Sequence, residues 1–156
     1  MVKNTYGDCK IVTATEDHIE VISSEMRPGD QLECSCFGFS PKDALYFALS
    51  RDDKTYTALD GNEVPFLMFG AGTRKEDDSS YIWLLGTDGL FKNSRQFARA
   101  SRPWVKHLVE PYGVVSNLVH KENTPAVRWL RFCGAKFIRE LQVLSNPFYE
   151  FIITSN

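Results

Sequence analysis

Several things are scarce in this 156-residue chain. No apolar run is long enough to span a bilayer, and the first residues carry no secretory pattern, so a cytoplasmic protein is expected. Charge of either sign is not in excess. Eighteen Lys and Arg against 20 Asp and Glu give a formal net charge of −2, which leaves no electrostatic case for nucleic acid as the main partner. There are only three histidines, at 18, 107 and 120, and four cysteines, at 9, 34, 36 and 133. Cys34-Ser-Cys36 has no histidine at ligand spacing, so the reading is free thiols and no metal site. Neither a Ser-His-Asp nor a Cys-His arrangement is legible. Gly70-Ala-Gly72 lacks the following helix that a dinucleotide loop requires.

What is present is a globular composition, 43% hydrophobic with 13% aromatic residues, enough for one packed core in a single domain over 1–156. Cys9–Thr13 reads as a short strand. Thr13-Ala-Thr-Glu16 fits a capping box, and Ile19, Ile22 and Met26 follow at helical spacing. Arg27-Pro28-Gly29-Asp30 reads as the stop of that helix, and 31–39 as a short helix or a loop. Ser40-Pro41 starts a helix to about Ser50, with Ser as cap and Pro in the first turn. Lys54–Leu59 and Val64–Gly70 read as a hairpin about Asp60-Gly61, a turn expected to need positive φ. Arg74–Ser80 is a polar loop.

The segment from Tyr81 to Phe137 carries most information. Tyr81–Leu85 is a continuous apolar strand, as for a central position covered on both faces. Phe97, Ser101, Trp104, Val105 and Leu108 mark one face of the next helix, which Pro103 is expected to kink or break. Val114–Val119 is a second buried strand, Thr124–Cys133 a helix, and Gly134 its left-handed stop. Ala135–Leu144 and Phe148–Thr154 are final strands joined through Ser145-Asn-Pro147.

Three groups of residues offer chemistry. The helix opening at Lys92-Asn93-Ser94-Arg95 combines unpaired backbone N–H groups with cations, a setting that takes phosphate; a solvated basic helix face is the alternative. Asn123 either caps its helix or turns its amide to a ligand. His120, Glu122 and Asp88 stand near strand ends, where ligand sites of open α/β folds lie, and are the candidate proton acceptors.

Trp83-Leu-Leu-Gly-Thr87, Phe97-Ala-Arg-Ala-Ser-Arg102 with Trp104, Asn117-Leu-Val with Asn123, Ala126-Val-Arg-Trp-Leu-Arg131 and Gly134 together resemble the GNAT N-acetyltransferase superfamily, over about residues 10–153. Within it the likeness is to a small GNAT-like family of tailed phages that includes the internal virion protein A of short-tailed phages. The resemblance implies an α/β (α+β) fold with a mixed, mostly antiparallel sheet of about six or seven strands flanked by helices. It also implies acetyl-CoA in the gap between two splayed central strands, pyrophosphate on the following helix, and transfer to a protein or small amine. Lys92–Arg95 and Asn123 would then hold the cofactor, and His120 or Glu122 would be the base. Two departures stand against this. Lys92, Arg95 and Phe97 fall on the defined positions of a loop that is Gln/Arg-x-x-Gly-x-Gly/Ala in the family, and Leu130 falls where a thiolate-protonating Tyr often stands. The other reading is therefore a catalytically silent GNAT-fold phage protein, working through contacts with a phage or host protein in virion morphogenesis or host-factor binding.

Overall fold

A computed structural model describes residues 2–52 and 54–156. In chain order the elements are β1 (Thr5–Tyr6), β2 (Cys9–Thr13), α1 (Glu16–Ser24), α2 (Pro28–Cys36), α3 (Pro41–Arg51), β3 (Lys54–Leu59), β4 (Pro65–Thr73), β5 (Ser80–Gly86), α4 (Gly89–Lys92), α5 (Ser94–Val109), β6 (Val114–His120), α6 (Thr124–Phe132), β7 (Lys136–Val143) and β8 (Asn146–Thr154). The strands form one sheet in the order β1-β2-β3-β4-β5-β6-β8-β7, so it has eight strands where six or seven were expected.

Every neighbouring pair is antiparallel except β5 and β6. Those two are parallel and meet at a single register pair, Tyr81↔Ser116. Beyond it they diverge toward their C-terminal ends. The helices cover both faces. α5 and α6 pack on one through Trp104, Val105, Leu108, Val109, Val127 and Leu130. α1–α3 pack on the other through Ile19, Ile22, Cys34 and Leu45 against Met68, with Trp83 and Leu85 alongside. The alternation along β5, Ile82 and Leu84 to one layer and Trp83 and Leu85 to the other, explains its unbroken apolar run.

Local chemistry departs from expectation in five places. The first helix is capped at Thr15, whose N–H donates to Nδ1 of His18 at 3.1 Å, so the box pairs Thr15 with His18 and not Thr13 with Glu16. Arg27-Pro28-Gly29-Asp30 opens α2 instead of closing α1, with Pro28 at the first helical position, where its missing N–H costs nothing. The hairpin turn after β3 is held by the Asp60 carboxylate, which accepts from the N–H groups of Asn62 and Val64, and the positive φ falls at Glu63 rather than Gly61. α5 runs unbroken through Pro103, its buried face of Trp104, Val105 and Leu108 outweighing one lost hydrogen bond. The β7–β8 turn is Leu144-Ser145, both at positive φ, and Asn146 and Pro147 already belong to β8. The Ser40 cap and the Gly134 stop are as expected: Ser40 Oγ accepts from Asp43 N–H, and Gly134 has φ +89°.

Candidate functional site

The divergence of β5 from β6 opens a cleft of about 430 Å³ that passes between the two helical layers. Phe91, Ser94, Phe97, Trp129 and Leu130 line it on the α5–α6 side; Glu33, Phe37, Phe39, Phe47 and Arg51 line it on the α2–α3 side. At its apex Asn117 spans the gap. Its amide Nδ2 donates to Ile82 O at 2.8 Å, and its Oδ1 accepts from Leu118 N–H at 2.8 Å. Thr87 N–H pairs with Phe66 O across β4, so by strand alternation the N–H and C=O of Ile82, Leu84 and Gly86 face the gap. The Ile82 carbonyl is taken by Asn117. Leu84 presents its backbone to open space between the strands.

The far end of the gap is closed by α2. Arg27 N–H donates to Gly86 O at 2.9 Å, and Gly86 N–H donates to Asp30 Oδ2 at 2.9 Å. On the opposite strand His120 N–H donates to Glu33 Oε2 at 3.0 Å. Asn123 joins the two acids, its Nδ2 donating to Glu33 Oε2 at 2.9 Å and to Asp30 Oδ1 at 3.2 Å. Arg27 completes the knot with a guanidinium on both Asp30 oxygens, the shorter contact 2.8 Å. Asp30 and Glu33 share one face of α2 because they are three residues apart. Gly29 lets Asn123 approach: a Cβ there would lie 2.5 Å from Asn123 Oδ1.

Burial is the main influence on Glu33. It pushes the carboxyl up to about 7 and the charge of Asp30 adds to this, against the N–H donors of Asn123 and His120 and the charge of Arg27. Glu33 therefore exchanges its proton near neutrality inside the cleft. Cys34 is also on the lining, but burial pushes its thiol up to about 12, which disfavours the thiolate at neutral pH. A second buried acid, Asp52, accepts from Tyr81 Oη–H, Trp83 Nε1–H and Thr55 Oγ–H, and it anchors the indole that walls the cleft. Burial raises the pKa of Asp52, and that of Tyr81 as well.

The residues singled out from sequence are dispersed. Asn123 is buried and serves the acid knot with no capping bond. His120 is fully buried off the cleft lining. Its Nδ1 accepts from Glu122 N–H at 3.0 Å, and its ring lies edge-on to Phe148. Glu122 is exposed and not on the lining. Asp88, Lys92 and Asn93 border a separate hollow with Asp8 and Asp60, and Asn93 turns its amide to Gly89 O and its Oδ1 to Cys9. Of the Lys92–Arg95 group only Ser94 reaches the cleft, and Arg95 is exposed beside it. The first N–H groups of α5, which carry no side-chain cap, lie at this mouth. Arg27, Asp30 and Glu33 were missed because 27–30 reads as a helix stop. The signal available was Pro28 as a helix start, with two acids then at i, i+3. Among the described residues no three His, Cys, Asp or Glu side chains gather as a metal site. No helix among them is long and apolar enough to cross a membrane.

No protein-family model and no curated protein sequence matches the chain. Solved structures do. An acetyltransferase of the GNAT family from Bacillus anthracis superposes with a TM-score of 0.71 at 11% identity, over 99% of this chain and 98% of that one. A spermidine N-acetyltransferase from Vibrio cholerae gives 0.61 at 13% identity, over 95% and 94%. An aminoglycoside acetyltransferase in complex with coenzyme A gives 0.65 at 14% identity, over 94% of each chain. At these identities the likeness is one of architecture, and the chain has the GNAT acetyltransferase fold.

Proposed function

We propose that this protein is an acyl-CoA-dependent N-acetyltransferase of an amine. The observation that carries the reading is the cleft that crosses the sheet, with an uncapped helix start at one mouth and a proton-exchanging carboxyl, Glu33, at the other. The residues present fit an acyl-CoA. The Leu84 edge offers an unpaired donor and acceptor to an amide-bearing arm, and the first turn of α5, with Ser94 and Arg95, offers N–H groups and charge to its phosphates. Acyl-CoA supplies the thioester: its C–S bond breaks as the N–C bond of the amide forms, and one nitrogen proton leaves with the thiol.

The chain itself does three things in this reading. Glu33 takes the other proton, from the arriving ammonium, so that nitrogen has a free lone pair. The knot of Asp30, Asn123 and Arg27 fixes Glu33 in place. Trp83, Phe97, Trp129 and Leu130 keep water from the reacting centre. The thermal unfolding curve tests cofactor binding: a hundredfold excess of acetyl-CoA over its dissociation constant adds about 2.7 kcal/mol of stability. No shift at millimolar acetyl-CoA defeats the reading.

A second reading has its own support. Leu130 is buried at the lining and cannot protonate a thiolate, and the first turn of α5 holds no glycine. These favour a catalytically silent GNAT-fold protein of a phage, acting through contacts with a phage or host protein, in line with the Phe97–Arg102 and Ala126–Arg131 segments. It predicts no thiol release with any amine, and a stable partner captured from infected cells. Thiol release above the hydrolytic background excludes it.

A further inference from the structure

Resting on the acyltransferase reading, we propose that the acceptor is a small amine with one positive charge on a flat, aromatic body, and not a polyamine or an amino sugar. The walls on the α2–α3 side carry this. Phe37 and Phe47 line the cleft while remaining 49% and 44% exposed. Phe39 stacks on Phe47 with ring centroids 5.3 Å apart. Trp83 forms the wall toward the sheet, and its indole N–H is held by Asp52. Rings left half in water at a cleft mouth gain most from a flat apolar partner, through burial and through ring–ring geometry.

Charge points the same way. Among the described residues lining the cleft, Glu33 is the only carboxylate, and Arg27 and Arg51 are the other charged groups. The two neighbouring acids are already committed. Asp30 is paired with Arg27 and bonded by Gly86 and Asn123. The Asp52 side chain is 0% exposed, bonded by Tyr81, Trp83 and Thr55 and lying 3.6 Å from the Arg51 guanidinium. A single ammonium meets a single carboxylate. Each further ammonium of a polyamine would lose hydration in a cleft whose other charged groups are the guanidinium groups of Arg27 and Arg51, with no acid to receive it. Acyl transfer to the acceptor is as above: N–C forms, C–S breaks, and the two nitrogen protons go to Glu33 and to the thiol.

The test compares 2-phenylethylamine with spermidine, by calorimetric binding without cofactor and by product mass with acetyl-CoA. Phenylethylamine is expected to bind at least tenfold more tightly and to be the better acceptor. Phe47→Glu, which removes a ring and adds an acid at an exposed position, should narrow or reverse that preference while leaving the acetyl-CoA thermal shift in place. Equal or tighter binding of spermidine, no binding of phenylethylamine at millimolar concentration, or an unchanged preference in Phe47→Glu overturns the proposal. A missing acetyl-CoA shift would instead remove the acyltransferase reading and the acceptor role with it, while the calorimetric comparison would still decide which amine the cleft prefers.

Discussion

On its α5–α6 side the cleft ends in an uncapped helix start beside one exposed cation, Arg95; on its α2–α3 side it ends in a buried Asp30 and a half-buried Glu33, tied to the two diverging strands. The first mouth is built from neighbours in sequence, the second from contacts that span 56 to 93 residues. Exposed charge near free backbone N–H groups attracts an anion without fixing its geometry, and each such group contributes little because water screens it. A buried acid held by several donors is fixed in place and shifted in pKa, and removing one member is costly. The two mouths should therefore respond to mutation on different scales, and that contrast is what the following substitutions probe.

The largest effect is expected at Asp30. Asp30→Ala leaves the Arg27 guanidinium, 11% exposed, without its partner and strips an acceptor from Gly86 N–H and Asn123. Breaking a buried pair from one side costs about 3–5 kcal/mol, which chemical denaturation would read directly. A loss below about 1 kcal/mol, the size of an exposed ion pair, would erase the contrast.

Glu33→Gln comes next, and its two readouts move in opposite senses. The usual glutamate value is 4.5 and the folded value about 7, so the folded protein holds a proton that the unfolded chain has released across that window. Wild-type stability accordingly falls as pH rises from about 4.5 to 7, by on the order of 3 kcal/mol. Glutamine keeps an acceptor for His120 N–H and Asn123 and carries no charge. The variant should lose that slope and be the more stable protein at pH 8. Turnover should drop by roughly a hundredfold or more, the usual contribution of a placed base, and the rise of rate through about pH 7 should vanish. A variant of unchanged kcat places the base elsewhere.

Gly29→Ala perturbs the same knot through geometry alone. The added Cβ falls 2.5 Å from Asn123 Oδ1 and displaces the amide, at about 1–3 kcal/mol before the small gain in helix propensity. Asn123 N–H favours the charged form of Glu33, so its displacement should move the acid limb of the pH–rate profile upward. An unmoved limb would mean that Asn123 only packs.

The division between local and distant contacts also explains what the sequence could convey. Most strands and helices were legible, because apolar runs, Ser40 as cap and Gly134 as stop act within a turn or two. A helix start in this stretch was legible for the same reason, although it falls at Ser94 and Lys92 ends the short helix before it. Glu33 was not. Its one mark in the chain is Asp30 three residues earlier, once Pro28 is read as a helix start, and its character comes from burial and from donors on β6 and just before α6. Asn123 was found for a role at a ligand or a cap, and its partners are two acids about 90 residues away. Pro28 misled because a proline can end one helix or begin the next, and only the packing of α2 across the ends of β5 and β6 decides between them.

The smallest effect is expected at Lys92 and Arg95. Lys92 borders the hollow with Asp8 and Asp60 and not the cleft, and Arg95 is exposed at the start of α5. If phosphate is held mainly by the backbone N–H groups of that turn, Arg95→Ala removes only a screened charge. The KM for acetyl-CoA should then rise a few-fold, about 0.3–1 kcal/mol, with kcat unchanged and the difference fading in high salt. Lys92→Ala should change less still. A hundredfold rise in KM for Arg95→Ala would mean a directed, desolvated phosphate contact instead, and the α5 mouth would then be as tightly built as the acid knot across the sheet.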